Sequence, residues 1–216
     1  MATVTGGGQT TLIDAGSNDR NGVAQALANA ITAGLENGSL TRTTDGNNPP
    51  AGAGVLTISA RNVTVGSPPA VSVDLINGGG SLPGSFVNLT GSGLPNQVVI
   101  GDSQDITYFT NGGGGSVVLG DGANVVGTPT IGGGNLDVKT GSGSDTINAY
   151  SGNVTVSPGE GFSNLVNTGL RGTHSNVLIF AAANVMVFPN GGGTFISGDR
   201  VISTGRHRHR RRNWKG

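Results

Sequence analysis

The sequence predicts an all-β fold, a parallel β-solenoid or β-roll built from two-strand coils of about 20 residues, with one N-terminal helix. Three observations lead there. Glycine supplies 41 of the 216 residues while charged residues make up 11%, so turns are plentiful but the chain lacks the charge of a disordered polymer. Turn-like clusters followed by Val, Ile or Leu recur at a nearly constant interval along the chain. Between them lie short segments rich in β-branched residues and bounded by glycine or asparagine, the pattern of short buried strands.

Residues 1–54 read as an N-terminal segment. Its start, MATVTGGGQTTLIDAG, has neither a basic nor an apolar leader stretch, and no window in the chain approaches the ~18 apolar residues of a membrane span. An extracellular or cell-surface location would therefore be reached without a cleavable N-terminal signal. A helix is expected at about residues 19–37, because Val23, Ala26, Leu27, Ala30, Ile31 and Leu35 fall on one face. Ser17, Asn18 or Asp19 can cap its start and Asn37-Gly38 can end it. A solenoid exposes strand edges and apolar side chains at its ends, so this helix is expected either to cap the stack or to dock onto a neighbouring subunit. Thr41 to Gly54, with two prolines, reads as a loop.

Residues 55–205 read as the solenoid. Its turns are GDSQDIT at Gly101, GDGANVV at Gly120, GSGSDTI at Gly141, GEGFSNL at Gly159, FAAANVM at Phe180 and GDRVIS at Gly198, spaced by 19, 21, 18, 21 and 18 residues. A second series of glycine turns interleaves with the first, so half a coil is about ten residues, enough for one short strand and one turn. Asparagine stands directly before valine at Asn62, Asn124, Asn153, Asn176 and Asn184. In-register coils would stack such residues into an amide ladder; equally, asparagine suits the left-handed conformation of a turn.

GSGSDTI, Gly141 to Ile147, resembles the glycine-rich nonapeptide of the repeats-in-toxin, or hemolysin-type calcium-binding, family. The resemblance implies a β-roll with Ca2+ in successive turns, held by aspartate carboxylates and backbone carbonyls. It would make Asp145 a ligand, with backbone oxygens from Gly141 and Gly143. Asp105, Asn124 and Asp145 would form one row across three coils, with Asp102 and Asp121 as a second pair. The match covers about Gly101 to Asp199 and departs from the family in several copies: Asn124 replaces the acid, Ser103 a glycine, and FAAANVM has lost both glycines and the charge. Turns that satisfy backbone groups without metal are the alternative.

Residues 206–216 form a basic tail. Arg206, Arg208, Arg210, Arg211, Arg212 and Lys215 give it +6, against −6 for residues 1–205. With Trp214 it is expected to be disordered and to contact a polyanion or the acidic body of a neighbouring copy; nucleic acid is not the expected partner. With no cysteine and three histidines, two of them in the tail, the chain offers little to a catalytic triad or a thiolate metal site. An enzyme is not expected. The expected function is a secreted bacterial structural protein that self-assembles into filaments or matrix fibres, or acts as a solenoid adhesin. The alternative is a calcium-dependent module that binds carbohydrate or attaches to a surface, with extracellular polysaccharide or a cell surface as partner.

Overall fold

The computed structural model describes residues 1–16, 22–43, 53–78, 85–161, 163–169, 175–181, 184–190, 192–198 and 201–203. The chain opens with an antiparallel hairpin, β1 (Ala2–Gly6) and β2 (Gln9–Ile13), followed by helix α1 (Val23–Glu36) and β3 (Leu40–Thr43). It then alternates between two sheets: β4 (Ala53–Ile58), β5 (Val63–Gly66), β6 (Val71–Ile76), β7 (Phe86–Thr90), β8 (Gln97–Gly101), β9 (Asp105–Phe109), β10 (Gly115–Val118) and β11 (Val125–Gly127). The alternation continues through β12 (Asn135–Lys139), β13 (Thr146–Ala149), β14 (Gly152–Ser157), β15 (Asn164–Thr168), β16 (Ser175–Phe180), β17 (Val185–Pro189), β18 (Gly193–Ser197) and β19 (Val201–Ser203).

The even-numbered strands from β4 together with β3 form a nine-stranded parallel sheet; the odd-numbered strands from β5 form an eight-stranded parallel one. This is a β-solenoid of about seven turns with a spacing near 19 residues and one helix near the N-terminus, as the turn periodicity predicts. The stack begins earlier than residue 55, because Leu40–Thr43 pairs in register with Ala53 to Leu56.

Strand periodicity places alternate side chains on opposite faces. In β12, Leu136 and Val138 point into the stack, while Asp137 and Lys139 lie outside and pair with each other. Between the sheets the register aligns Val99, Val117, Val138, Val156 and Ile179 in one inward column. Tyr108, Val126, Ile147, Val166 and Val187 form the facing column. Full burial of each such aliphatic side chain contributes roughly 1.5–3 kcal/mol, so the core repeats one increment per coil.

A second apolar cluster lies outside the solenoid. Ala2, Val4 and Ile13 of the hairpin and Ala24, Ala28 and Ile31 of α1 pack with Val55, Val73, Leu75, Ile100 and Val118, which project from the outer face of the nine-stranded sheet. The helix packs on the hairpin strand β1 and on β3, the first strand of the nine-stranded sheet, and closes this cluster. Helix and hairpin run alongside each other, with Thr3 N–H donating to Gln25 Oε1 (3.3 Å) and Thr5 N–H to Thr32 Oγ1 (3.0 Å). The predicted C-terminus of α1 holds: Asn37 N–H donates to Ala33 O at 3.0 Å, and Gly38 follows with φ 78°. At the start Gly22 precedes the helix with φ 64° and no side-chain cap bond; Ser17, Asn18 and Asp19 lie outside the described residues.

Arg42 on β3 ties hairpin to sheet. Its guanidinium donates to Gly6 O (2.8 Å), Val4 O (3.1 Å), Thr11 Oγ1 (3.0 Å) and Thr57 Oγ1 (3.1 Å). Partial desolvation lowers its pKa from the usual arginine value. Arg42→Ala removes these charged donors and should destabilise the fold by about 2–4 kcal/mol. Hydrogen exchange is the check: amides of residues 2–13 should lose protection before those of β12 to β15, and equal loss throughout would contradict the assignment.

Candidate functional site

The first turn series builds one corner of the stack. Gly120, Gly141 and Gly159 lie above one another, as do Gly122, Gly143 and Gly161. A Cβ added at any of the six would sit under 3.0 Å from a carbonyl oxygen of the preceding coil: Asp102 O and Gln104 O for the first pair, Gly120 O and Gly122 O for the second, Gly141 O and Gly143 O for the third. None of these glycines has positive φ. Close approach of backbone to backbone, rather than unusual dihedrals, demands glycine here.

Beside these glycines runs a buried polar row, Asn124, Asp145 and Asn164, each at most 1% exposed. The row is linked coil to coil: Ile106 N–H donates to Asn124 Oδ1 (3.3 Å), Asn124 N–H to Asp145 Oδ1 (3.0 Å) and Asp145 N–H to Asn164 Oδ1 (3.0 Å). Asn124 Nδ2 also donates to Gly120 O (3.0 Å), Gly122 O (2.9 Å) and Asp145 Oδ1 (3.0 Å). Asn164 Nδ2 donates to Gly159 O at 3.0 Å. An amide nitrogen thus stands where two turn carbonyls and a carboxylate converge, the place a cation would take in the resembled family.

The predicted ligand set is brought together only in part. Asn124 and Asp145 share the row, but Ile106 occupies it in the preceding coil. Asp105 lies one residue out of register, half-buried, and accepts from Ala123 N–H at 2.8 Å. Asp102 is buried and aligned with Gly120, whereas Asp121 lies outside, accepting from Ser142 N–H at 2.7 Å. A one-residue offset reverses the side-chain face in a strand, so acids at similar places in successive repeats point to opposite sides. Among the described residues no group of three or more His, Asp or Glu is arranged to hold a metal ion. In the coil of Gly120 the residues fit an amide rather than a cation. Asp145 Oδ2 in the coil of Gly141 and Asp102 Oδ2 two coils earlier are both buried with no hydrogen bond; beside Asp145 the hydroxyl of Thr140, also buried, acts on the carboxyl. Arg206, Arg208, Arg210, Arg211, Arg212 and Trp214 lie outside the described residues.

Of the five asparagines that precede valine, Asn153 and Asn176 form the expected amide ladder on the exterior, whereas Asn62 takes the left-handed conformation, φ 55°. Asn176 Nδ2 donates to Asn153 Oδ1 (2.9 Å) and Asn153 Nδ2 to Asn135 Oδ1 (2.8 Å). Asn135 extends the ladder although leucine, not valine, follows it. A shallow groove beside it is lined by Asn153, Thr155, Asn176, Leu178 and Phe195. On the other sheet, Asn167 Nδ2 donates to Asn148 Oδ1 at 2.7 Å.

Sequence reasoning missed a further buried acid. Asp74 takes a position in the inward valine column, opposite Val99, and is fully buried. Ser67 Oγ donates to its Oδ1 (3.0 Å) and Gln97 Nε2 to its Oδ2; Tyr108 Oη donates to Gln97 Oε1 at 3.2 Å. The only signal was one acid inside the apolar run VSVDLI. Comparison with family models, curated proteins and solved structures finds no match for this chain.

Burial pushes the Asp74 carboxyl up to about 7, against the hydrogen bonds from Ser67 and Gln97. It pushes Asp145 up to about 6, against the nearby Thr140 hydroxyl and the bonds from Asn124, with the Asp121 charge adding to the rise. Both folded-state values exceed that of an unfolded aspartate. The stabilisation from protonated carboxyls is thus complete below about pH 4 and is lost as pH rises through about 6 and 7. Urea unfolding midpoints should fall as pH rises from about 4 to about 7 and level off above that. Asp145→Asn, which supplies the amide that Asn124 and Asn164 already use, should remove the component near pH 6 and stabilise the fold at pH 8 by on the order of 2–3 kcal/mol. An unchanged pH slope in that variant would contradict the assignment.

Proposed function

We propose that the chain is a structural protein that self-associates through its solenoid, as an extracellular filament, matrix fibre or surface adhesin. One observation carries this reading: among the described residues each solenoid sheet ends in a strand with no further strand beside it, β18 and β19 at one end and β3 and β5 at the other. The C-terminal edge bears Phe195 and Ile202, each 64% exposed. Open parallel edges are templates for further strands, and exposed aromatic and aliphatic side chains there favour a covered state over a solvated one. The buried acids are engaged inside the stack, Asp74 with Ser67 and Gln97 and Asp145 with Asn124, which suits support of the fold rather than turnover of a substrate.

A calcium-dependent module for carbohydrate or surface attachment is the second reading. The groove beside the Asn135, Asn153 and Asn176 ladder favours it, since amide groups next to the Phe195 ring suit a sugar's hydroxyls and apolar face. The unpartnered Asp145 Oδ2 is the atom that favours calcium.

Electron microscopy and sedimentation of purified full-length chain, with calcium and with chelator, separate these readings. Self-association should rise with protein concentration in both conditions and give regular linear assemblies. Particles that stay monomeric at high concentration would contradict the structural reading. Thermal stabilisation by calcium that Asp145→Asn abolishes would support the second.

A further inference from the structure

One outward column runs through all nine strands of the larger sheet. It starts at Arg42 and passes through Val55, Val73 and Val98 on β4, β6 and β8. It turns polar at Ser116, Asp137 and Thr155, then apolar again at Leu178 and Phe195. The first apolar stretch is covered by the chain's own hairpin and helix. Nothing among the described residues covers the second, where Phe195 is 64% and the adjacent Phe180 47% exposed.

We infer that copies of this chain join head to tail, with β18 of one copy pairing in parallel with β3 of the next and the hairpin of the second copy extending its cover over Leu178 and Phe195 of the first. This rests on the self-association reading above. All strands of the sheet are parallel, so translation along the stack continues it without reversal, and a translational contact is heterologous and does not close into a dimer. Continued register puts Phe195 beside Arg42 of the following copy. That guanidinium is already bonded at its edges to Val4 O, Gly6 O, Thr11 and Thr57, and its flat face suits an aromatic ring. The hairpin reaches this end of the sheet, because its turn lies against Arg42: a Cβ at Gly7 would contact the Arg42 side chain at 3.2 Å. The intramolecular interface over Val55 and Val73 is thus continuous with the surface that the junction would bury.

Two variants and one native probe test the junction. Phe195→Lys alters an exposed side chain and should leave the circular dichroism spectrum unchanged while weakening association at least about tenfold by sedimentation velocity. In the proposed register Thr194 of one copy falls opposite Thr41 of the next. Because the chain has no cysteine, a Thr41→Cys/Thr194→Cys chain should form a ladder of covalent oligomers on mild oxidation, and neither single variant should go beyond a dimer. Association undiminished in folded Phe195→Lys, together with no ladder, would overturn the inference while leaving self-association standing. Absence of association in the unaltered chain would overturn both. Trp214, the sole tryptophan, reports the competing occupant, the chain's own residues 204–216: blue-shifted emission at dilutions where the chain is monomeric, lost in Phe195→Lys, would show that the tail covers this end and would overturn the inference.

Discussion

The approach of one coil's carbonyl oxygens to the next coil's glycine Cα atoms is the contact on which the rest of this structure depends. At Gly122, Gly143 and Gly161 the oxygen of the preceding coil lies where any other residue would place Cβ. Only with that atom missing can neighbouring corners close to the spacing at which parallel strands hydrogen-bond, near 4.8 Å. The two sheets, their inward valine columns and the flank that receives the hairpin all inherit their register from it.

The same constraint changes the chemical meaning of the glycine motif. A turn in which carbonyls crowd inward suits a hard cation, and it suits an amide donor equally well. Asn124 supplies such a donor to Gly120 O and Gly122 O, and Asn164 does so to Gly159 O. Between them Asp145 is the irregular member, a carboxylate whose second oxygen lacks a partner. Protonation gives that oxygen a donor of its own, and a cation would give it a charge, so the position couples the stack to its solution through one atom. Asp74 introduces a second coupling deeper in the core, where a carboxyl replaces valine and draws Ser67, Gln97 and Tyr108 into a polar cluster.

The coil architecture was legible because its cause is periodic: a glycine is needed wherever a carbonyl approaches, and coils repeat near every 19 residues. Strand identity followed from alternation, as in Asn135 to Lys139. The row of site residues was harder to read. Turn clusters align by their glycines only to within a residue, and a one-residue error moved Asp105 onto the row that Ile106 occupies. The N-terminal hairpin has a legible signal in its alternating residues around Gly6, Gly7 and Gly8. The role of α1 was not legible, because an apolar helical face does not say whether it meets an edge or a flank. The outward valines at 55, 73 and 98 complete the cluster that hairpin and helix share, and their orientation exists only once the register is known.

Equilibrium urea unfolding of Gly143→Ala beside Gly66→Ala, both in chelator, tests the central claim most directly. Gly143 faces Gly122 O, whereas a Cβ at Gly66 meets nothing within 4 Å, and neither has positive φ. Gly143→Ala should lose about 3 kcal/mol or more, or fail to fold, while Gly66→Ala should stay within about 1 kcal/mol of the unaltered chain. Equal stability of the two variants would show that the turn glycines do not set the coil stacking.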